Sequence, residues 1–86
     1  MTIYVISVTN DPMETTEMTY IIGAYSTEEA AHAQIITWMG CRDVKPTDYS
    51  REEWGERYYF YDENEERFFH LDVEKVELDA QYFFLR

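Results

Sequence analysis

Eighty-six residues suffice for one domain, 1–86, with a single core and little to spare. Apolar residues make up 45%, as in a folded chain. Eighteen acids against seven bases leave a net charge of −11, with no Lys or Arg before Arg42. That balance disfavours direct nucleic-acid binding and acidic membranes; it favours a basic partner (the basic surface of a nucleic-acid-binding protein, a polycationic tail or a metal ion) or serves only to keep an aromatic-rich chain in solution.

No apolar run is long enough to span a bilayer, and neither a signal peptide nor a lipidation motif is recognisable. The single cysteine, Cys41, excludes an internal disulfide and a cysteine metal cage. A cytoplasmic setting is expected.

Thr2 to Thr9 is dense in β-branched residues and reads as a strand, apolar on both faces: Tyr4, Ile6 and Val8 on one, Ile3 and Val5 on the other. Asn10-Asp11-Pro12 signals a turn, and Met13 to Glu17 completes a polar connection. Met18 to Tyr25 is a second strand, antiparallel to the first, and Gly23 near its end marks a bulge or a close backbone approach.

The one long helix is predicted between Gly23 and Gly40. Ser26 and Glu29 have capping-box spacing, Gly40 stands as a C-cap, and Ala31, Ile35, Trp38 and Met39 form the core-facing stripe. On its reverse side Ala30, Ala33, Gln34 and Thr37 are small or uncharged, which suits a second contact surface or a merely Ala-rich exposed helix.

Cys41 to Tyr49 reads as a polar loop. Ser50 to Glu53 repeats the capping-box spacing, which predicts a short helical turn through Trp54 ended by Gly55. Arg57 to Tyr61 is the third strand, Asp62 to Glu66 a hairpin loop, and Arg67 to Val73 the fourth strand. Val76 and Leu78 have the opposite parity to Val73, so a bulge at Glu74 or Lys75, or a break there, is expected.

The resulting fold class is α+β: a four-stranded, mainly antiparallel sheet in ββαββ order with one main helix on one face. Because one helix covers one side, Tyr25, Tyr59, Tyr61 and part of the first strand are expected on a second face. The C-terminal aromatic segment, a second copy of the chain or a partner protein would cover it. Candidate dimer or second-face contacts are Tyr25, Ala30, Ala33, Thr37, Tyr82, Phe83 and Phe84.

Tyr4-Val5, the junction Ile22-Gly23-Ala24-Tyr25-Ser26-Thr27-Glu28-Glu29-Ala30 and the late Glu77-Leu78-Asp79 resemble a family of small uncharacterised bacterial and phage domains of unknown function. The resemblance spans most of the chain and implies a ββαββ-like fold without an activity. Where that family continues into a tryptophan-containing tail, this chain has Gln81-Tyr82-Phe83-Phe84.

Chemistry-bearing patterns are sparse. Glu28 and His32 have the i, i+4 spacing of a shared metal ligand pair, but two ligands are not a site and the sequence positions no third. No metal or other cofactor is therefore expected, and His32 reads as a border residue beside Ile35 and Ile36. His70 reads as a polar residue in a pleated strand.

Asp62, Asn64 and Glu66 mimic the start of a calcium loop, but Arg67 stands where its glycine belongs and Val73 where its closing glutamate belongs. A pocket between helix and sheet lined by Tyr25, Trp38 and Tyr59 would suit a small regulatory or ligand-binding domain. The favoured expectation is a non-enzymatic acidic protein-binding domain, such as a phage-type inhibitor of a nucleic-acid-binding host protein. Its partner-binding residues would be Tyr49, Glu52, Glu53, Trp54, Glu56, Tyr59, Tyr61, Asp62, Glu63, Glu65 and Glu66.

Overall fold

A computed structural model describes residues 1–10, 19–63 and 66–78. The described strands are β1 (Thr2–Asn10), β2 (Thr19–Tyr25), β3 (Asp48–Glu52), β4 (Gly55–Asp62) and β5 (Arg67–Glu77), with one helix, α1 (Glu28–Arg42), between β2 and β3. All pairings are antiparallel, in the order β2-β1-β5-β4-β3. The α+β class and the single helix on one face hold, while the sheet has five strands where the sequence predicts four.

The extra strand replaces the helical turn expected at Ser50 to Trp54. Glu52 pairs with Gly55, leaving Glu53 and Trp54 as a two-residue hairpin turn. Serine three residues before glutamate fits a helix cap, but a tight turn uses the same residue types. The register decides between them: Tyr49 lies opposite Tyr58 with ring centroids 5.0 Å apart, a cross-strand aromatic contact that a helical turn would forfeit. The Trp54 carbonyl also accepts from the Lys75 N–H at 2.8 Å, which ties the turn to β5.

Two further boundaries move. Thr27, not Ser26, caps α1, its hydroxyl accepting from the Ala30 N–H at 3.1 Å; Glu28 and Glu29 then both lie in the first turn, where the helix dipole favours them. The helix passes through Gly40 and ends at Asp43, whose left-handed backbone (φ 53°, ψ 48°) lets the Val44 N–H reach the Met39 carbonyl. Aspartate tolerates that conformation better than most side chains.

Strand β1 lies inside the sheet, as its two apolar faces require. Gly23 pairs with Ile6 and Ile21 with Ser7, so Ile22 is the extra residue of a β-bulge beside the glycine. The Tyr25 ring folds over Gly23, where an added Cβ would meet the Tyr25 hydroxyl oxygen at 2.6 Å. Tyr25 lies opposite Tyr4 on the helix side and packs against the core, so its expected place on the second face is corrected.

Strand β5 neither bulges nor breaks at Glu74 or Lys75 but pairs with β1 in unbroken register from Phe69 to Glu77. The parity change needs no repair, because both faces of the sheet take apolar side chains: Val73 joins Ile6 on the helix side, and Val76 joins Ile3 on the other.

The core is Ile6, Val8, Phe60, Leu71 and Val73 from the sheet against Ala31, Ile35 and Trp38 from α1. Phe60 and Phe69 are stacked 4.9 Å apart, and Trp38 meets both edge-on at 5.6 and 6.0 Å. Ala30, Ala33 and Thr37 are exposed on the back of the helix, as is Ile36. Among the described residues no helix of the chain is long and apolar enough to cross a membrane.

Candidate functional site

Alternation along β4 and β5 divides the residues singled out in the sequence between two surfaces. On the helix side stand Glu56, Tyr58, Phe60 and Asp62, with Tyr49 from β3. On the helix-free side stand Arg57, Tyr59 and Tyr61, opposite Asp72, His70 and Phe68.

The helix-free side carries a ladder of cross-strand pairs. Tyr61 and Phe68 contact at 4.7 Å between centroids, and Tyr59 and His70 at 6.5 Å. Arg57 forks onto Asp72, with Nε to Oδ1 at 2.7 Å and Nη2 to Oδ2 at 3.0 Å, and its guanidinium lies 5.4 Å from the Trp54 ring. Hydrogen bonding to Asp72 raises the Arg57 pKa further, against the effect of burial, so this cation is held within the face.

His70 Nδ1 is buried and makes no hydrogen bond, although Asp72 Oδ1 lies 3.4 Å away. Tyr59 and Tyr61 are each 37% exposed and Phe68 58%. The flanking edge strand β3 turns Asp48, Ser50 and Glu52 to the same side, with Ser50 Oγ donating to Glu52 at 2.5 Å. The expected contacts Glu52, Tyr59 and Tyr61 thus belong to one side of the sheet by register, with Trp54 against Arg57 at its end, but they are spread along the length of β4.

The remaining candidates lie elsewhere. Tyr49 and Glu56 meet on the helix side, and Glu53 lies in the β3–β4 turn. Asp62, Glu63 and Glu66 cluster at the opposite end of the sheet, around the β4–β5 turn, with Glu66 in left-handed backbone (φ 52°). Glu65, Tyr82, Phe83 and Phe84, together with Asn64 of the calcium-loop reading, lie outside the described residues.

The second constellation is on the helix side and centres on Glu56, which is 7% exposed. Its Oε1 accepts from His32 Nε2 at 3.0 Å; its Oε2 accepts from the Tyr49 hydroxyl at 2.6 Å and the Tyr58 hydroxyl at 3.3 Å. Burial pushes the Glu56 carboxyl up, but the donors from Tyr49, His32 and Tyr58 outweigh it and hold the group below its ordinary range. Burial, with the Glu56 charge beside it, pushes the Tyr58 phenol up to about 12, and the bond to Glu56 raises Tyr49 as well.

Glu28 completes the group, its Oε1 3.9 Å from His32 Nε2. The sequence pairs Glu28 with His32 by helical spacing but offers no signal for Glu56, which reaches them only through the packing of α1 on β4.

A groove of about 210 Å³ opens between the C-terminal end of α1 and the sheet, lined among others by Tyr20, Trp38, Arg42 and Phe69. Arg42 lies 5.0 Å from the Trp38 ring. The expected pocket shared by Tyr25, Trp38 and Tyr59 does not form, because Tyr59 points to the other side of the sheet. Cys41 is exposed in the last helical turn. Comparison of the chain with protein-family models, with curated proteins and with solved structures finds no match.

Proposed function

We propose that the domain is a non-enzymatic protein-binding module whose helix-free sheet face docks on a basic protein surface. The carrying observation is the row Tyr59, Tyr61 and Phe68, exposed together on that face beside the carboxylate-bearing edge strand β3. Aromatic anchors supply most of the energy of such interfaces, and surrounding carboxylates speed encounter and set orientation.

With a net charge of −11, the natural target is a cationic groove of the kind nucleic-acid-binding proteins present. A phage-type inhibitor would work in this way, by analogy.

The test is capture from a cell lysate by the immobilised domain at low and high salt, set beside a Tyr61→Ser, Phe68→Ser double variant. The expected result is a basic protein retained at low salt, weakened at high salt and lost with the variant. Retention of no basic protein, or equal retention by the variant, contradicts the proposal.

A second copy of the chain would use the same face, and sedimentation at rising concentration distinguishes that occupant. The groove at the end of α1 favours one other reading, a small ligand-binding domain. It predicts a rise in melting temperature with nucleotides or amino acids, and loss of that rise with Trp38→Leu.

A further inference from the structure

We propose that Glu28, His32 and Glu56 form a binding site for one divalent first-row transition-metal ion, with zinc the reference case. This goes beyond the docking reading and lies on the opposite side of the sheet from its face.

Three donor atoms, one from each residue, lie within 4.8 Å of one another. In a tetrahedral zinc site with bonds near 2.0–2.2 Å, ligand atoms are about 3.3 Å apart. His32 Nε2 and Glu56 Oε1 are at 3.0 Å and already fit. Only the Glu28 carboxylate, 3.9 Å from Nε2, has to close in, and its side chain is 40% exposed and attached to the first turn of α1.

The arrangement has the parts that separate a metal site from a chance acidic cluster. Glu28 and His32 are one helical turn apart on the same face, and the third donor comes from a strand, so the ligands converge from two rigid elements. Glu56 is nine-tenths buried, and its outer oxygen is held by two tyrosine hydroxyls. That fixes the carboxylate with Oε1 turned to the site, the orienting role outer hydrogen bonds play around metal ligands.

In the metal-free state the His32 Nε2–H donates to Glu56 Oε1. A metal ion takes the place of that proton, and the imidazole then carries its one N–H on Nδ1. Beside Glu28 and Glu56 opens a cleft of about 190 Å³, also lined by Glu52 and Glu53, which gives an ion a route in and leaves a coordination position for water. The imidazole ligand and the small donor count select a transition metal over calcium or magnesium, which take six or more oxygens or keep most of their water.

The test is calorimetric titration of the chelator-treated domain with Zn²⁺, with Co²⁺ spectra as a second readout. The expected results are one equivalent bound and a visible four-coordinate Co²⁺ band. His32→Ala and Glu28→Gln should each weaken Zn²⁺ binding at least tenfold and abolish the band. Tyr49→Phe should weaken it by a smaller factor, and His70→Ala should leave it unchanged.

His32 and Glu28 are half-exposed, and circular dichroism of the variants verifies their folding. Absence of a one-equivalent isotherm in the wild type overturns the proposal. So does binding that survives His32→Ala in a folded variant, or that is lost with His70→Ala.

Discussion

Glu56 is the residue on which the helix side of the molecule turns. A carboxylate this buried persists as an anion because three side-chain donors converge on it, and removing it leaves Tyr49, Tyr58 and His32 competing for solvent in a confined space. Glu56→Gln is expected to cost about 1.5–3 kcal/mol in urea denaturation at neutral pH, as for hydrogen bonds to a charged group.

Its pH dependence has a definite sign. The folded carboxyl lies below its ordinary value of 4.5, so it contributes stability above that value and loses it as the pH falls through the depressed one. Below about pH 4.5 the wild type should therefore destabilise more steeply than Glu56→Gln, measured as urea midpoint against pH. Tyr58 gives the mirror case. Its phenol is raised from 10.0 to about 12, so stability is full below pH 10 and falls between 10 and 12, a loss that Tyr58→Phe should lessen.

At the scale of elements, the β3–β4 hairpin depends on one glycine. Gly55 has φ 153°, and a Cβ there would stand 1.8 Å from the Val73 carbonyl oxygen, which belongs to backbone and cannot rotate away. Gly55→Ala should destabilise the domain by about 2 kcal/mol or more, read in a thermal or urea melt. Trp38 fixes α1 to the sheet through its edge contacts with Phe60 and Phe69, and Trp38→Ala should cost about 3–5 kcal/mol.

These elements also mark how much of the fold can be read from the chain. The β1–β2 and β4–β5 pairings and the helix stripe of Ala31, Ile35 and Trp38 were legible because period and turn residues are local signals. Strand β3 was not, since the Ser50–Glu53 spacing suits a cap as well as a turn and the deciding contact, Tyr49 on Tyr58, is cross-strand. The unbroken β5 escapes the sequence for a related reason: a bulge or break at Glu74 or Lys75 follows only if just one face of the sheet is apolar. Glu28 and His32 were visible as a pair, while Glu56 joins them across 24 residues of chain, beyond any local spacing rule.

At the scale of the molecule, among the described residues, one helix serves one face of a five-stranded sheet, and the two faces take different chemistry. The helix side buries the core and gathers the Glu28, His32 and Glu56 donors at one end. The helix-free side keeps an ordered ladder of aromatic pairs and a neutralised arginine. A chain that spends Arg57 on Asp72 within that face keeps its outward charge acidic, which suits a cationic partner.

The most direct check is hydroxyl-radical footprinting of the free domain and of the domain bound to the basic protein it retains at low salt. Tyr59, Tyr61 and Phe68 should be oxidised readily in the free domain and several-fold less in the complex, with Ile36 on the back of the helix equally reactive in both. Unchanged oxidation of the three rings, or protection that falls on Ile36 instead, would contradict the assignment of the helix-free face as the docking surface.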